Sequence, residues 1–136
     1  METSLIMPSF QELIQQQDPE ALRLQHVLDV YTARTKASDR VKTAAKLLDD
    51  MQAAEADARS IRDELLADLA HQLDALTEDD AVGRAHLALD LADINDSYRQ
   101  AANALCKAED NLSDARRSLR VAEHEAAKYP FPASTP

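Results

Sequence analysis

The most constraining feature of the sequence is a regular stripe of apolar residues along its C-terminal half. From Leu91 to Tyr129 such side chains recur at alternating steps of three and four residues without a break. Only an α-helix brings these positions to one face, and their mean step is that of a coiled-coil heptad. Within this stripe every second position from residue 101 to 122 is alanine: Ala101, Ala108, Ala115 and Ala122. The pattern predicts a long helix that a second helix approaches closely.

Capping signals divide the chain into three helices. Ser9 followed by Glu12 is a capping-box pattern, and it predicts a short first helix that ends near Gln17. Asp18-Pro19-Glu20 offers an N-cap, a proline at the first helical position and an acid near the positive end of the helix dipole. Thr77, followed by three acids, predicts the start of a third helix that runs from Glu78 to about Lys128.

A second apolar stripe, between Val41 and Leu76, has the same mean period. We therefore predict an all-α fold: a long antiparallel two-helix coiled-coil hairpin with a short N-terminal helix. A turn after Leu76 sets residues whose numbers sum to about 157 opposite one another, so large side chains face alanines, and each helix would be about 75 Å long. A bundle of shorter helices is the alternative, and only Gly83 and residues 95–97 could break the helices for it.

We expect one domain over 1–136, made of a strap and short helix (1–17), two long helices (18–76 and 77–129) and a proline-rich tail (130–136). The chain has a net charge of −10, and residues 41–100 hold 14 acids and 6 bases. This charge disfavours direct nucleic-acid binding. No run of about 18 apolar residues exists, so we expect no membrane span. The N-terminus does not resemble a secretory signal, which predicts a cytoplasmic protein or part of a particle assembled there.

The residues offer little for catalysis. Neither a glycine-rich phosphate loop nor a catalytic triad is visible, so we expect no enzyme activity, no cofactor and no small-molecule substrate. His71 and His86 share a rung with several aspartates, but His71 is turned away from Leu69 and Leu73, and we interpret the group as solvated rather than as a metal site. Cys106 is the only cysteine and is predicted to be a buried or half-buried packing residue.

Candidate partner-binding residues fall in two regions. Near the N-terminus, Phe10, Leu13 and Ile14 form an apolar stripe that either packs over the open end of the hairpin, near Phe131, or docks into a neighbouring chain. Near the predicted turn, Leu66 and Leu89, with Ala70 and Ala92, widen the apolar stripe beyond what one two-helix seam can bury, so we expect a dimeric four-helix bundle or an obligate partner. The acids there are Asp90, Asp93 and Asp96.

Two functions remain open from the sequence. The first is a non-enzymatic structural or assembly protein, a hairpin that acts as a spacer or clamp in a larger homo-oligomer or complex, such as a phage particle or secretion apparatus. The second is a small acidic inhibitor, chaperone or nucleic-acid mimic that covers a basic partner surface through Asp90, Asp93 and Asp96. Salt dependence distinguishes them, because only the second depends mainly on charge.

Overall fold

The computed structural model describes residues 9–130 of the chain. Its elements are α1 (Phe10–Gln15), α2 (Pro19–Ala75) and α3 (Ala81–Ala126), and this part of the chain contains no strand. The two long helices pack against each other. The predicted all-α helical hairpin with a short N-terminal helix is therefore confirmed.

The first two helices begin where the capping signals predict. The Ser9 hydroxyl oxygen accepts a hydrogen bond from the Glu12 amide at 3.2 Å, and an Asp18 carboxylate oxygen accepts one from the Ala21 amide at 3.0 Å. Each bond satisfies one of the donors that the first turn of a helix leaves without a partner. Between α1 and α2 the backbone of Gln17 is left-handed, with φ of 58°, which ends the first helix.

The third helix begins one turn later than predicted, and its cap is Asp80 rather than Thr77. An Asp80 carboxylate oxygen accepts a hydrogen bond from the Gly83 amide at 2.8 Å, while the backbone carbonyl of Thr77 accepts one from the Asp80 amide at 3.1 Å. Residues 77–80 thus form the turn between the long helices. The cap is thus the last of the three acids that follow Thr77.

Gly83 lies in the first turn of α3 because the capping side chain occupies the space that a side chain at residue 83 would fill. A Cβ atom there would lie 2.6 Å from an Asp80 carboxylate oxygen and 2.7 Å from a Leu76 methyl carbon. The glycine therefore lets both side chains pack against the helix start. Neither Gly83 nor residues 95–97 interrupt α3, so the alternative of shorter helices is wrong.

The hairpin divides into two compact units, each containing part of both long helices. We call residues 42–114 the turn unit, and residues 9–41 with 115–130 the terminal unit. The buried apolar side chains of the turn unit are Ala44, Ala108 and Leu112; those of the terminal unit are Ala21, Val30, Ala115 and Ala126. Alanine dominates both sets, as the stripe predicts, because small side chains allow helix backbones to approach closely. Within residues 9–130 no helix combines the length and hydropathy needed to cross a bilayer.

Candidate protein-interaction surfaces

Large apolar side chains on both sides of the turn remain in contact with water. Half of the exposed large hydrophobic residues of the described chain lie between residues 61 and 91: Ile61, Leu65, Leu73, Val82, Leu89 and Leu91. A seam of alanines buries little of this surface within the chain. Where such side chains form one patch, that patch is a candidate site of protein association.

One groove on the turn unit is lined only by leucine and alanine. We call it the leucine groove, and its lining residues are Leu66, Leu69, Ala70, Leu73, Leu87, Ala88 and Leu91. Leu73 is 56% exposed at its edge. The groove runs between the two long helices, so its lining side chains are carried by regular helices rather than by loops.

A second groove lies on the opposite side of the seam. Its floor is apolar, from Ala58 and Ile61 to Leu65 and Ile94, and acids line its edge. We call it the acid-edged groove; its polar and aromatic lining residues are Arg62, Asp68, Gln72, Asp90, Asp93, Ser97 and Tyr98. Leu69 borders both grooves, as expected for a side chain at the seam between them.

The two leucines predicted for association do not share a surface. Leu66 lines the leucine groove, whereas Leu89 lines neither groove and is 64% exposed. At 100° per residue, Leu89 lies on the side of α3 away from Leu87 and Leu91. Leu73 and Leu91 belong to the apolar stripes that predict the buried seam, but they are 56% and 41% exposed and line the leucine groove.

The three acids predicted to bind a partner do not share one surface either. Asp90 and Asp93 line the acid-edged groove, where they are joined by Asp68. Asp96 lines no groove and lies 3.9 Å from the Arg99 guanidinium in an exposed pair. A spacing of three residues shifts a side chain by 60° round a helix, and two such steps carry Asp96 off the surface that Asp90 occupies.

The predicted N-terminal residues can be placed only in part. Phe10 begins α1 and is exposed. Leu13 and Ile14 belong to the same helix, but their side chains lie outside the described residues, as does Phe131. The choice between packing on this chain and docking into a neighbour stays a prediction.

A polar network that the sequence analysis missed borders the acid-edged groove. Glu55, with 8% of its side chain exposed, receives hydrogen bonds from Arg59 at 2.6 and 2.7 Å and from the Tyr98 hydroxyl at 2.9 Å. These donors, Arg59 first and Tyr98 second, lower the pKa of Glu55 below its ordinary value against the opposing effect of burial. The guanidinium of Arg62 lies 4.9 Å from the centre of the Tyr98 ring. Tyr98 of α3 is thereby held by two residues of α2, Glu55 and Arg62.

The terminal unit holds a smaller aromatic cluster. The Tyr31 hydroxyl donates to the backbone carbonyls of Tyr129 and Ala126, and so caps the C-terminal end of α3. His26 meets the Tyr129 ring edge-on, with 5.4 Å between ring centres. Tyr31 and Ala126 face each other as the predicted register requires.

Two further sequence predictions concern reactive side chains. Among residues 9–130, no three His, Cys, Asp or Glu side chains come together in a group that could hold a metal ion. Cys106 is exposed, so its prediction as a buried or half-buried residue is wrong. It lies 100° beyond Leu105 on the helix, outside the stripe that faces α2.

Charge is distributed unequally between the units. The turn unit contains 17 acidic and 7 basic residues, a net charge of −10, while the remainder of the chain contains eight of each.

In comparisons with known proteins, the chain matches no family model, no curated protein and no solved structure.

Proposed function

We propose that this chain is a non-enzymatic structural or assembly protein whose hairpin self-associates through the leucine groove. The observation that carries the proposal is the composition of that groove, seven leucine and alanine side chains open to water. Such a surface suits a helix-to-helix contact between proteins better than a small ligand, because it offers no polar group to orient one.

The leucine groove suits a second copy of the same chain. Leucine and alanine are interspersed on both helices, at Leu66, Ala70 and Leu73 on α2 and at Leu87, Ala88 and Leu91 on α3. Ala70 and Ala88 therefore leave space on α2 and α3 into which leucines of a two-fold related copy can pack, which is the self-complementarity that a symmetric interface requires. The product is a four-helix bundle built from two hairpins.

The residues of the leucine groove carry no charge that would repel a second copy. The leucine groove contains no acid, and Asp68, Asp90 and Asp93 lie in the other groove. Burying the exposed parts of Leu73 and Leu91 contributes about 1 kcal/mol for each side chain in each copy. Because the two turn units carry like charge, we expect added salt to strengthen the association by screening their repulsion.

The test is the molar mass of the chain in solution at micromolar concentration, by light scattering or sedimentation equilibrium. The proposal predicts twice the 15.0 kDa of one chain. Leu73→Asp should give a monomer, because the interface would then bury an unpaired carboxylate. Circular dichroism of the same sample shows whether the hairpin is intact.

Leu89→Asp is the matched control, since it places the same charge on a leucine that is also more than half exposed but lies outside both grooves. It should leave the dimer intact. A monomeric wild-type chain, a dimer that survives Leu73→Asp, or a dimer that Leu89→Asp disrupts equally would overturn the proposal.

A further inference from the structure

The floor of the acid-edged groove is shaped for a third helix. Ile61, Leu65 and Ile94 form an apolar strip between α2 and α3, and Ile61 is 57% exposed. Along α2 the groove extends from Ala58 to Gln72, which is about 20 Å, or four helical turns. Grooves between the side-chain ridges of paired helices are where a further helix packs.

The edge of this groove carries negative charge that the chain does not neutralise. Asp68, Asp90 and Asp93 are exposed, and none of them forms an ion pair within residues 9–130. Arg62 is the one cation among the lining residues, and its guanidinium lies over the Tyr98 ring instead. An occupant with cationic side chains therefore finds three carboxylates already in place.

The occupant that matches both features comes from another protein. A second copy of the turn unit would add its own net charge of −10, and the segments 1–8 and 131–136 of this chain contain no lysine or arginine. Nucleic acid is repelled by the same acids. A helix with an apolar face and flanking basic residues matches both features. The carboxylates at the edge attract its basic residues, and its apolar face is buried against the apolar floor.

We propose that the acid-edged groove is the docking site for a basic amphipathic helix of a different protein. The apolar residues of that helix lie on Ile61, Leu65 and Ile94, and its lysines or arginines lie beside Asp68, Asp90 and Asp93. Tyr98 forms one end of the site. Its hydrogen bond to Glu55 and its contact with Arg62 fix the ring before the helix arrives, so less side-chain freedom is lost on binding.

The proposal is tested with a synthetic, fluorescently labelled helical peptide of leucine and lysine, its leucines on one face, and with a counterpart in which glutamate replaces lysine. Binding to the full chain is followed by fluorescence anisotropy. The lysine peptide should bind, and the glutamate peptide should not. Added salt should weaken the lysine complex, which is opposite to its expected effect on self-association.

Two matched pairs of variants locate the site. The triple variant Asp68→Asn, Asp90→Asn and Asp93→Asn should weaken binding about tenfold. The triple variant Asp63→Asn, Asp74→Asn and Asp96→Asn removes the same charge from exposed residues outside the groove and should weaken binding much less. Ile61→Ala should weaken binding, whereas Val121→Ala, at an exposed position in the terminal unit, should not.

Equal losses in the two triple variants would overturn the proposal, because they would show attraction to net charge alone. Equal binding of the lysine and glutamate peptides, or no binding of either, would also overturn it. Circular dichroism confirms that each variant is folded before it is compared. The monomer or dimer mass of the chain is measured separately, so a failure here is distinct from a failure of the leucine-groove proposal.

Discussion

Tyr98 of α3 donates a hydrogen bond across the hairpin to Glu55 of α2, with 2.9 Å between the two oxygens. This bond connects the two long helices within the turn unit at a point where most neighbouring side chains are small or exposed. Arg59 completes the coordination of the carboxylate, so both of its oxygens are used. A largely buried carboxylate is retained in an alanine-rich seam because four hydrogen bonds, three donated by Arg59 and one by Tyr98, replace those of water.

The first prediction concerns the hydroxyl of Tyr98. Tyr98→Phe removes one donor from Glu55 but keeps the ring beneath Arg62, so we expect the melting temperature to fall by about 3 °C. Thermal unfolding by circular dichroism measures the change. Tyr129→Phe is the control, because in Tyr129 the backbone carbonyl, and not the side-chain hydroxyl, accepts the bond from Tyr31. If the melting temperature falls equally in the two variants, the hydrogen bond from Tyr98 to Glu55 does not stabilise the turn unit.

The second prediction concerns pH. Glu55 has a folded-state pKa below its ordinary value of 4.5, so its carboxylate stabilises the fold at higher pH. That stabilisation is lost as the pH falls through the folded pKa, and we expect the free energy of unfolding to decline below about pH 5. Glu20 and Glu125 have pKa values lowered by Arg23 and Lys128, so they add to the same trend.

The variant Glu55→Gln isolates the contribution of that carboxylate. It should be less stable than the wild type at neutral pH, and its stability should depend less on pH in the acid range. Urea unfolding at several pH values provides the comparison. Glu20→Gln serves as the control, because Glu20 and its partner are highly exposed and a surface pair contributes little. A slope for Glu55→Gln equal to that of the wild type contradicts the prediction.

The third prediction concerns the size of the residues in the seam. Ala115 has no exposed surface, and Ala115→Leu forces three additional carbon atoms into a packed contact. We expect a loss of about 2 kcal/mol or more in the free energy of unfolding. Ala53→Leu, on an exposed part of α2, is the control and should change it by less than about 0.5 kcal/mol. A seam that tolerates leucine at residue 115 would mean that the helices are not closely packed there.

The fourth prediction compares the two candidate caps of α3. Asp80→Ala removes the acceptor of the Gly83 amide and should cost about 1 kcal/mol. Thr77→Ala should cost less than about 0.5 kcal/mol, because the bond at Thr77 is made by its backbone carbonyl. Chemical denaturation of both variants decides between them. A larger loss of stability in Thr77→Ala than in Asp80→Ala would indicate that Thr77 is the N-cap.

The candidate surfaces were only partly predictable. The sequence shows an excess of apolar residues near the turn, and it predicts Leu66, Asp90 and Asp93, which line the two grooves. The same patterns group Leu89 and Asp96 with them, although these side chains lie elsewhere on α3. Hydrophobicity and charge can be read along the chain, but whether a residue lies at the seam or beside it depends on the rotation of one helix against the other.

The sequence alone determined the helices and their pairing. Ser9, Asp18 and Pro19 act within one helical turn, and the alanine stripe fixes which face of α3 is buried, so no distant residue is needed to predict these features. The start of α3 is local as well, because Asp80 caps the Gly83 amide and Leu76 packs against Gly83, and Asp80 is chosen among the candidate caps of residues 77–80. The tertiary structure decided how the two long helices meet. It alone also paired Glu55 with Tyr98 and divided the exposed leucines between surfaces. The Glu55–Tyr98 pair and the division of the leucines depend on which side chains of α2 and α3 come into contact. Those contacts are set by the position of one helix relative to the other.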